Sequence, residues 1–163
     1  MSYDHVQYGR WHYIFWLVAV VLLIGGWTAG ERQALLLNLA IAGMFLLISL
    51  MMASLRVRDD GDHLSLCFGP LPICHWQIPY AEMQSIEADR SRLIDGWGIH
   101  YIFGRGWIYN LWGFDCVKLT LQSGKIIRIG TDDREGLLAF LQTKLAQDSA
   151  QTNPPPHPLN TQS

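Results

Sequence analysis

Residues 117–130 read VKLTLQSGKIIRIG. Val117, Leu119 and Leu121 alternate with Lys118, Thr120 and Gln122, the period of a strand with one buried face. Ser123–Gly124 supplies a turn, and Ile127 and Ile129 carry the apolar face back along a second strand. This stretch sets the reading of the segment from Arg56 to Gln147 as a β-rich unit. Upstream, Leu64, Leu66 and Phe68 share one face before Gly69–Pro70 ends their run, and Gln84–Asp89 alternates more weakly. Short runs at Arg56–Asp59, Ile73–Ile78, Ile99–Phe103 and Trp107–Trp112 bring the total to about seven strands. Downstream, Thr131 is placed to cap a helix whose first turn carries Asp132, Asp133 and Glu135 and whose apolar stripe is Leu137, Leu138, Leu141 and Leu145. From residue 148 the chain is polar and contains a triple proline, the composition of a disordered tail.

Residues 96–113, GWGIHYIFGRGWIYNLWG, are dense in glycine and aromatics. Ile99, Tyr101 and Phe103, then Trp107 and Tyr109, alternate as if to fill a small barrel, with Gly104 and Gly106 flanking Arg105 at the turn. A dinucleotide fingerprint fails, because Tyr101 stands where the third glycine of GxGxxG belongs. Tryptophan and arginine are favoured at binding hot spots, which makes Trp97, Arg105, Trp107 and Trp112 the candidate partner-binding residues. The alternative for Trp97, Trp107 and Trp112 is a membrane-facing aromatic loop.

The first third of the chain is of another kind. Residues 13–29 (YIFWLVAVVLLIGGWTA) and 34–55 (ALLLNLAIAGMFLLISLMMASL) carry no formal charge, in a chain that is 50% hydrophobic and 16% charged. Each is read as a transmembrane helix. The GERQ linker at 30–33 makes them a tight hairpin with both chain ends on one side. Arg10, Arg56 and Arg58 on that side, against Arg32 offset by Glu31 on the other, predict cytoplasmic termini. Cleavage of the first run as a signal peptide would leave that orientation of the remaining chain unchanged. Trp11, Tyr13 and Trp27 fall where interfacial aromatics belong. Gly26 and Gly30 read as a loosened helix end more readily than as a GxxxG contact, and Asn38 can bond across the hairpin or to another subunit. The spans lack a mid-membrane ionisable group, which argues against a transporter or channel.

Catalytic signals are weak. Cys67, Cys74 and His75 lack a second close ligand pair for zinc, and Cys74 and His75 as strand neighbours point to opposite faces. The acidic run RDDGDH at 58–63 has its glycine misplaced for a calcium loop and reads as a polar turn. Glu87 and Asp89 share a strand face and are expected to be solvated or paired with Arg90 or Arg92. No nucleophile elbow, P-loop or HExxH is present. Three cysteines without framework spacing suit a reducing compartment. No catalytic, cofactor-binding or metal residue is assigned, and no cofactor or nucleic-acid partner is expected.

Two apolar spans, then IPYAEMQSIEADRS, the aromatic segment and a closing helix, resemble bacterial membrane-anchored proteins with a pleckstrin-homology-like domain. The most specific pieces are Ile78-Pro79-Tyr80, Gly96-Trp97-Gly98-Ile99, Gly113-Phe114-Asp115 and Ile129-Gly130-Thr131-Asp132, and the resemblance covers nearly all of 11–146. It implies a tail and two-helix transmembrane hairpin over 1–55. Over 56–147 it implies an α+β pleckstrin-homology-like domain, about seven antiparallel strands in a small barrel closed by one C-terminal helix. A disordered proline-rich tail completes 148–163. The implied function is a non-enzymatic binding or scaffolding module at the cytoplasmic face of a bacterial inner membrane. Its partners would be the bilayer and another membrane or cytoplasmic protein, with homo-oligomerisation left open. The alternative is a membrane-associated enzyme or a lipid-headgroup-binding protein. Headgroup binding at the first hairpin of the barrel is disfavoured by Asp59, Asp60 and Asp62, which repel phosphate.

Overall fold

The computed structural model of the chain describes residues 2–10, 12–70, 74–92 and 96–152. Trp11 and the tail beyond Thr152 therefore lie outside the described residues, as does the start of the expected strand at Ile73. The chain begins with strand β1 (Asp4–Tyr8) and passes directly into helices α1 (His12–Thr28) and α2 (Arg32–Met51). Then follow β2 (Ser54–Asp59), β3 (His63–Phe68), β4 (Cys74–Pro79), β5 (Met83–Arg90), β6 (Gly98–Ile102), β7 (Gly106–Asn110), β8 (Asp115–Leu121) and β9 (Ile126–Gly130). Helix α3 (Arg134–Thr152) closes the series.

The strands form two open sheets, of four and five strands, in the orders β1-β2-β3-β4 and β5-β8-β9-β7-β6. The closed, pleckstrin-homology-like barrel of about seven antiparallel strands is thereby corrected. Three features account for the difference. β1, from the N-terminal tail, occupies the edge of β2, with Tyr8 opposite Ser54 and Asp4 opposite Arg58. Between β4 and β5 the chain turns through a short 3-10 segment, Tyr80–Glu82, just after Pro79, which has no amide to extend the ladder. In the second sheet β7 runs parallel to β9, Trp107 opposite Ile127 and Tyr109 opposite Ile129, so β6 hangs on the outer edge.

One core joins both sheets and α3. Leu55, Leu64, Leu66 and Phe68 from the first sheet meet Val117, Leu119, Ile127 and Ile129 from the second, as period-two alternation requires. Leu137 and Leu141 of α3 are fully buried in the same cluster, with Leu138 and Leu145 packed at its margin. The aromatic alternation is satisfied only in part. Ile99, Trp107 and Tyr109 pack on the core, whereas Tyr101 is 57% and Phe103 95% exposed, because an edge strand overhangs its neighbour and leaves its tip uncovered. The cap of α3 is Asp133 rather than Thr131: its carboxylate accepts from the Gly136 amide at 3.1 Å, while the Thr131 hydroxyl accepts from the Asp133 amide at 3.0 Å. The helix also continues to Thr152, into the stretch expected to be a disordered tail.

The expected pair of transmembrane helices is corrected as well. The two apolar runs do form an antiparallel pair, with the Phe15 and Phe45 rings 6.1 Å apart. Among the described residues only α2, at 20 residues or about 30 Å, has the length and apolarity of a span; α1, at 17 residues, reaches about 26 Å. The second apolar run is shorter as a helix than its composition implies, since Ser54 and Leu55 belong to β2 and Leu55 lies in the β core. Gly26 is a packing contact rather than a loose end: a Cβ there would sit 2.9 Å from Asn38 Cβ. Asn38 itself bonds within its own helix, donating to the Ala34 carbonyl at 2.9 Å.

Candidate functional site

The hairpin is inserted between two strands that pair with each other, so its entry and exit are fastened at one point. The Gly9 amide donates to the Ala53 carbonyl at 3.0 Å, one step beyond the Tyr8–Ser54 pair. The Ser49 hydroxyl donates to the His12 carbonyl at 3.1 Å, locking the last turn of α2 to the first of α1. A Cβ on Gly9 would lie 2.5 Å from the Met52 carbonyl oxygen and 3.0 Å from Leu111 Cγ, so the crossing closes only around glycine. His12 Nδ1 lies 2.6 Å from the Gly9 carbonyl, which can only accept; Nδ1 therefore carries the proton.

At this root a cleft of about 640 Å³ opens between Tyr8, Arg10, His12, Tyr13 and Asp132. A second cleft of about 460 Å³ shares His12 and Tyr13 and continues along the helices past Trp16 and Leu50. The polar groups cluster at the strand end, and the lining becomes apolar toward the helices. Arg10 is exposed and makes no ion pair among the described residues. Asp132 Oδ1 lies 2.6 Å from His5 Nε2, leaving its second oxygen to solvent. Arg10 was legible as an orienting charge, but its meeting with Asp132, more than a hundred residues away, leaves no local signal.

The four candidate partner-binding residues do not converge. Trp97 and Trp112 stack at 6.3 Å and 17°, and the Trp112 carbonyl accepts from Gln7 Nε2 at 2.8 Å, which ties that pair to β1. Trp107 lies against the core, stacked on Tyr109 and edge-on to Tyr101, with Lys125 Nζ 5.9 Å above its ring. Arg105 turns its guanidinium inward, Nε and Nη2 shielded from solvent, and its carbonyl accepts from Arg128.

Arg128 is the charged residue that periodicity missed. It is 7% exposed and donates to Asp89 at 2.7 Å, while Glu87 pairs with Lys118 at 2.9 Å. Both carboxylates thus bridge strands through Lys118 and Arg128 rather than through Arg90 or Arg92, and Glu87 stays solvated as expected while Asp89 is half-buried. Burial pushes the Asp89 carboxyl up, but the Arg128 hydrogen bond, the Arg90 amide and the nearby Arg128 and Arg105 charges together hold it below the usual carboxylate range. Cys116, opposite Asp89 in the sheet, has its thiol pushed up by burial. In the acidic turn, Asp59 accepts from Tyr80 Oη at 2.9 Å and faces Lys144 Nζ of α3 at 3.2 Å. Burial raises that carboxyl, and the Gly61 amide, Tyr80 and Lys144 outweigh it. Asp60 pairs with Arg58 at 2.7 Å. This turn is a clasp between β2, β3 and α3. Cys67 stands opposite His75, while Cys74 packs toward the core from the other face.

No protein-family model matches the chain, and no curated protein matches it.

Proposed function

We propose that the chain is a non-enzymatic binding or scaffolding module held at the cytoplasmic face of a membrane by its helical hairpin. One observation carries the reading. Every large exposed apolar side chain belongs to α1 or α2 except Tyr8, Tyr101, Phe103 and Phe114, among the described residues. Leu17, Val21, Ile24, Leu36 and Leu37 are each more than half exposed, and a continuous apolar surface of this kind needs cover that a bilayer matched to the length of α2 supplies. With α2 as the spanning element and α1 packed along it, the β unit sits directly on the headgroups. Its carboxylates support a binding role over catalysis, since Asp59, Asp60, Glu87, Asp89 and Asp115 are each engaged in an ion pair.

The surface for a protein partner is the β6–β7 tip, where Tyr101 and Phe103 project from a sheet edge. Replacing both by alanine should reduce recovery of the crosslinked partner at least ~5-fold, the scale of a contact worth about 1 kcal/mol, with the melting curve unchanged. An unchanged partner set moves the binding surface elsewhere.

Topology is tested on the full chain with its native cysteines replaced by alanine. A cysteine at Glu31 should react with an impermeant thiol reagent added to intact cells, and one at Ser123 only after lysis. Reaction at 123 in intact cells would invert the orientation, and release of the chain by alkaline carbonate would remove the anchor.

A further inference from the structure

We infer that the cleft at the hairpin root is a phospholipid site, selective for a zwitterionic headgroup that carries a phosphate and a primary amine. This rests on the membrane reading above. The two connected clefts run from charged to apolar in the direction of the helices, which is the order of groups in a phospholipid entering from the cytoplasmic leaflet. Arg10 stands just outside the first turn of α1, at phosphate depth when Tyr13 and Trp16 occupy the interface, and its guanidinium makes no ion pair within the described residues.

Asp132 decides the headgroup. A purely anionic lipid would meet this carboxylate as well as Arg10, and the two would nearly cancel. An amine-bearing headgroup sets phosphate against Arg10 and ammonium against the Asp132 oxygen that His5 leaves open, so both sides of the cleft are used. The glycerol backbone and first acyl carbons then follow Tyr13, Trp16 and Leu50. Ser49 lines that stretch too, but its hydroxyl already donates to the His12 carbonyl, so the lower cleft offers no free hydroxyl proton. Asp59, Asp60 and Asp62 do not oppose this site, because their turn closes on α3 through Lys144, with Asp62 held by the adjacent His63, rather than on the root.

The test uses the delipidated full chain in mild detergent, titrated separately with phosphatidylethanolamine, phosphatidylcholine and phosphatidylglycerol, with adducts counted by native mass spectrometry. One phosphatidylethanolamine should saturate first. Phosphatidylcholine, equal in charge but without an N–H donor, should bind more weakly, and phosphatidylglycerol weakest. Arg10→Ala should weaken the phosphatidylethanolamine adduct about tenfold, the scale of one charged hydrogen bond. Asp132→Asn should close the gap between phosphatidylethanolamine and phosphatidylglycerol, and Arg32→Ala, at the other end of the hairpin, should change nothing. Several equivalent adducts with no headgroup order, or an Arg10→Ala titration matching the parent, overturns the proposal. If carbonate-resistant membrane integration holds in that case, the site alone fails; if integration also fails, the anchoring reading falls with it.

Discussion

Gly106→Ala is expected to lower the melting temperature of the full chain in micelles by roughly 5–20 °C, a loss of about 2–5 kcal/mol. Gly106 opens β7 with φ +86°, a conformation that costs an L-residue about 1–2 kcal/mol. A Cβ there would lie 2.8 Å from Ile126 Cβ and would also collide with the Ile126 carbonyl oxygen. That oxygen is main chain at the start of β9, so relief requires moving a strand, adding about 1–3 kcal/mol. Gly124→Ala is the matched control: its φ of +79° is similar, but a Cβ there meets nothing within 4 Å. Circular dichroism melts of the two variants separate strain from collision. Equal melting temperatures would show that β7 and β9 do not approach as closely as described.

Leu141→Asp should abolish the cooperative melt of the β unit while leaving the helical signal of the hairpin in place. Leu141 is 0% exposed and lies in the core cluster with Leu137. An unpaired carboxylate there costs several kcal/mol, comparable to the 5–15 kcal/mol margin typical of a domain. Gln142→Asp, one position along and exposed, should melt like the parent. Loss of strand ellipticity only in the first variant confirms that α3 seals the core, and an unchanged melt in both would separate α3 from it.

Local pairing was legible in the sequence wherever apolar alternation and a turn coincided. The 117–130 hairpin has the register its pattern predicts, Val117 opposite Ile129 and Leu119 opposite Ile127. β1 was invisible for a physical reason: its most buried residue is Gln7, a polar side chain at 3% exposure, so DHVQY shows no apolar period. Whether a sheet closes depends on which edges meet, and the parallel β7–β9 contact leaves no trace in either strand's own pattern. The same limit explains Tyr101 and Phe103, whose alternation is that of a buried face although their strand is an edge. Trp97 and Trp112 were legible only as two of four residues of types favoured in binding, and their stacking depends on how Gly98 and Asn110 are opposed across β6 and β7. The root cleft was the least legible part, since Arg10 and His12 at the entry to α1 meet Asp132, from the connection before α3, only in the completed fold.

The insertion of α1 and α2 between paired strands also dictates an order of assembly. As a flexible loop, the chain from Gly9 to Ala53 would cost about 3 kcal/mol to close. Under the proposed membrane anchoring, a hairpin already inserted in lipid would deliver Tyr8 and Ser54 side by side and remove most of that cost. β1 precedes β2 in the chain and waits as a free strand until β2 has been made, and the first sheet is then seeded where the two ends of the hairpin meet. On that same proposal, insertion into lipid would be a step of folding, and a delay in it would leave an exposed strand end as the first species open to misassembly.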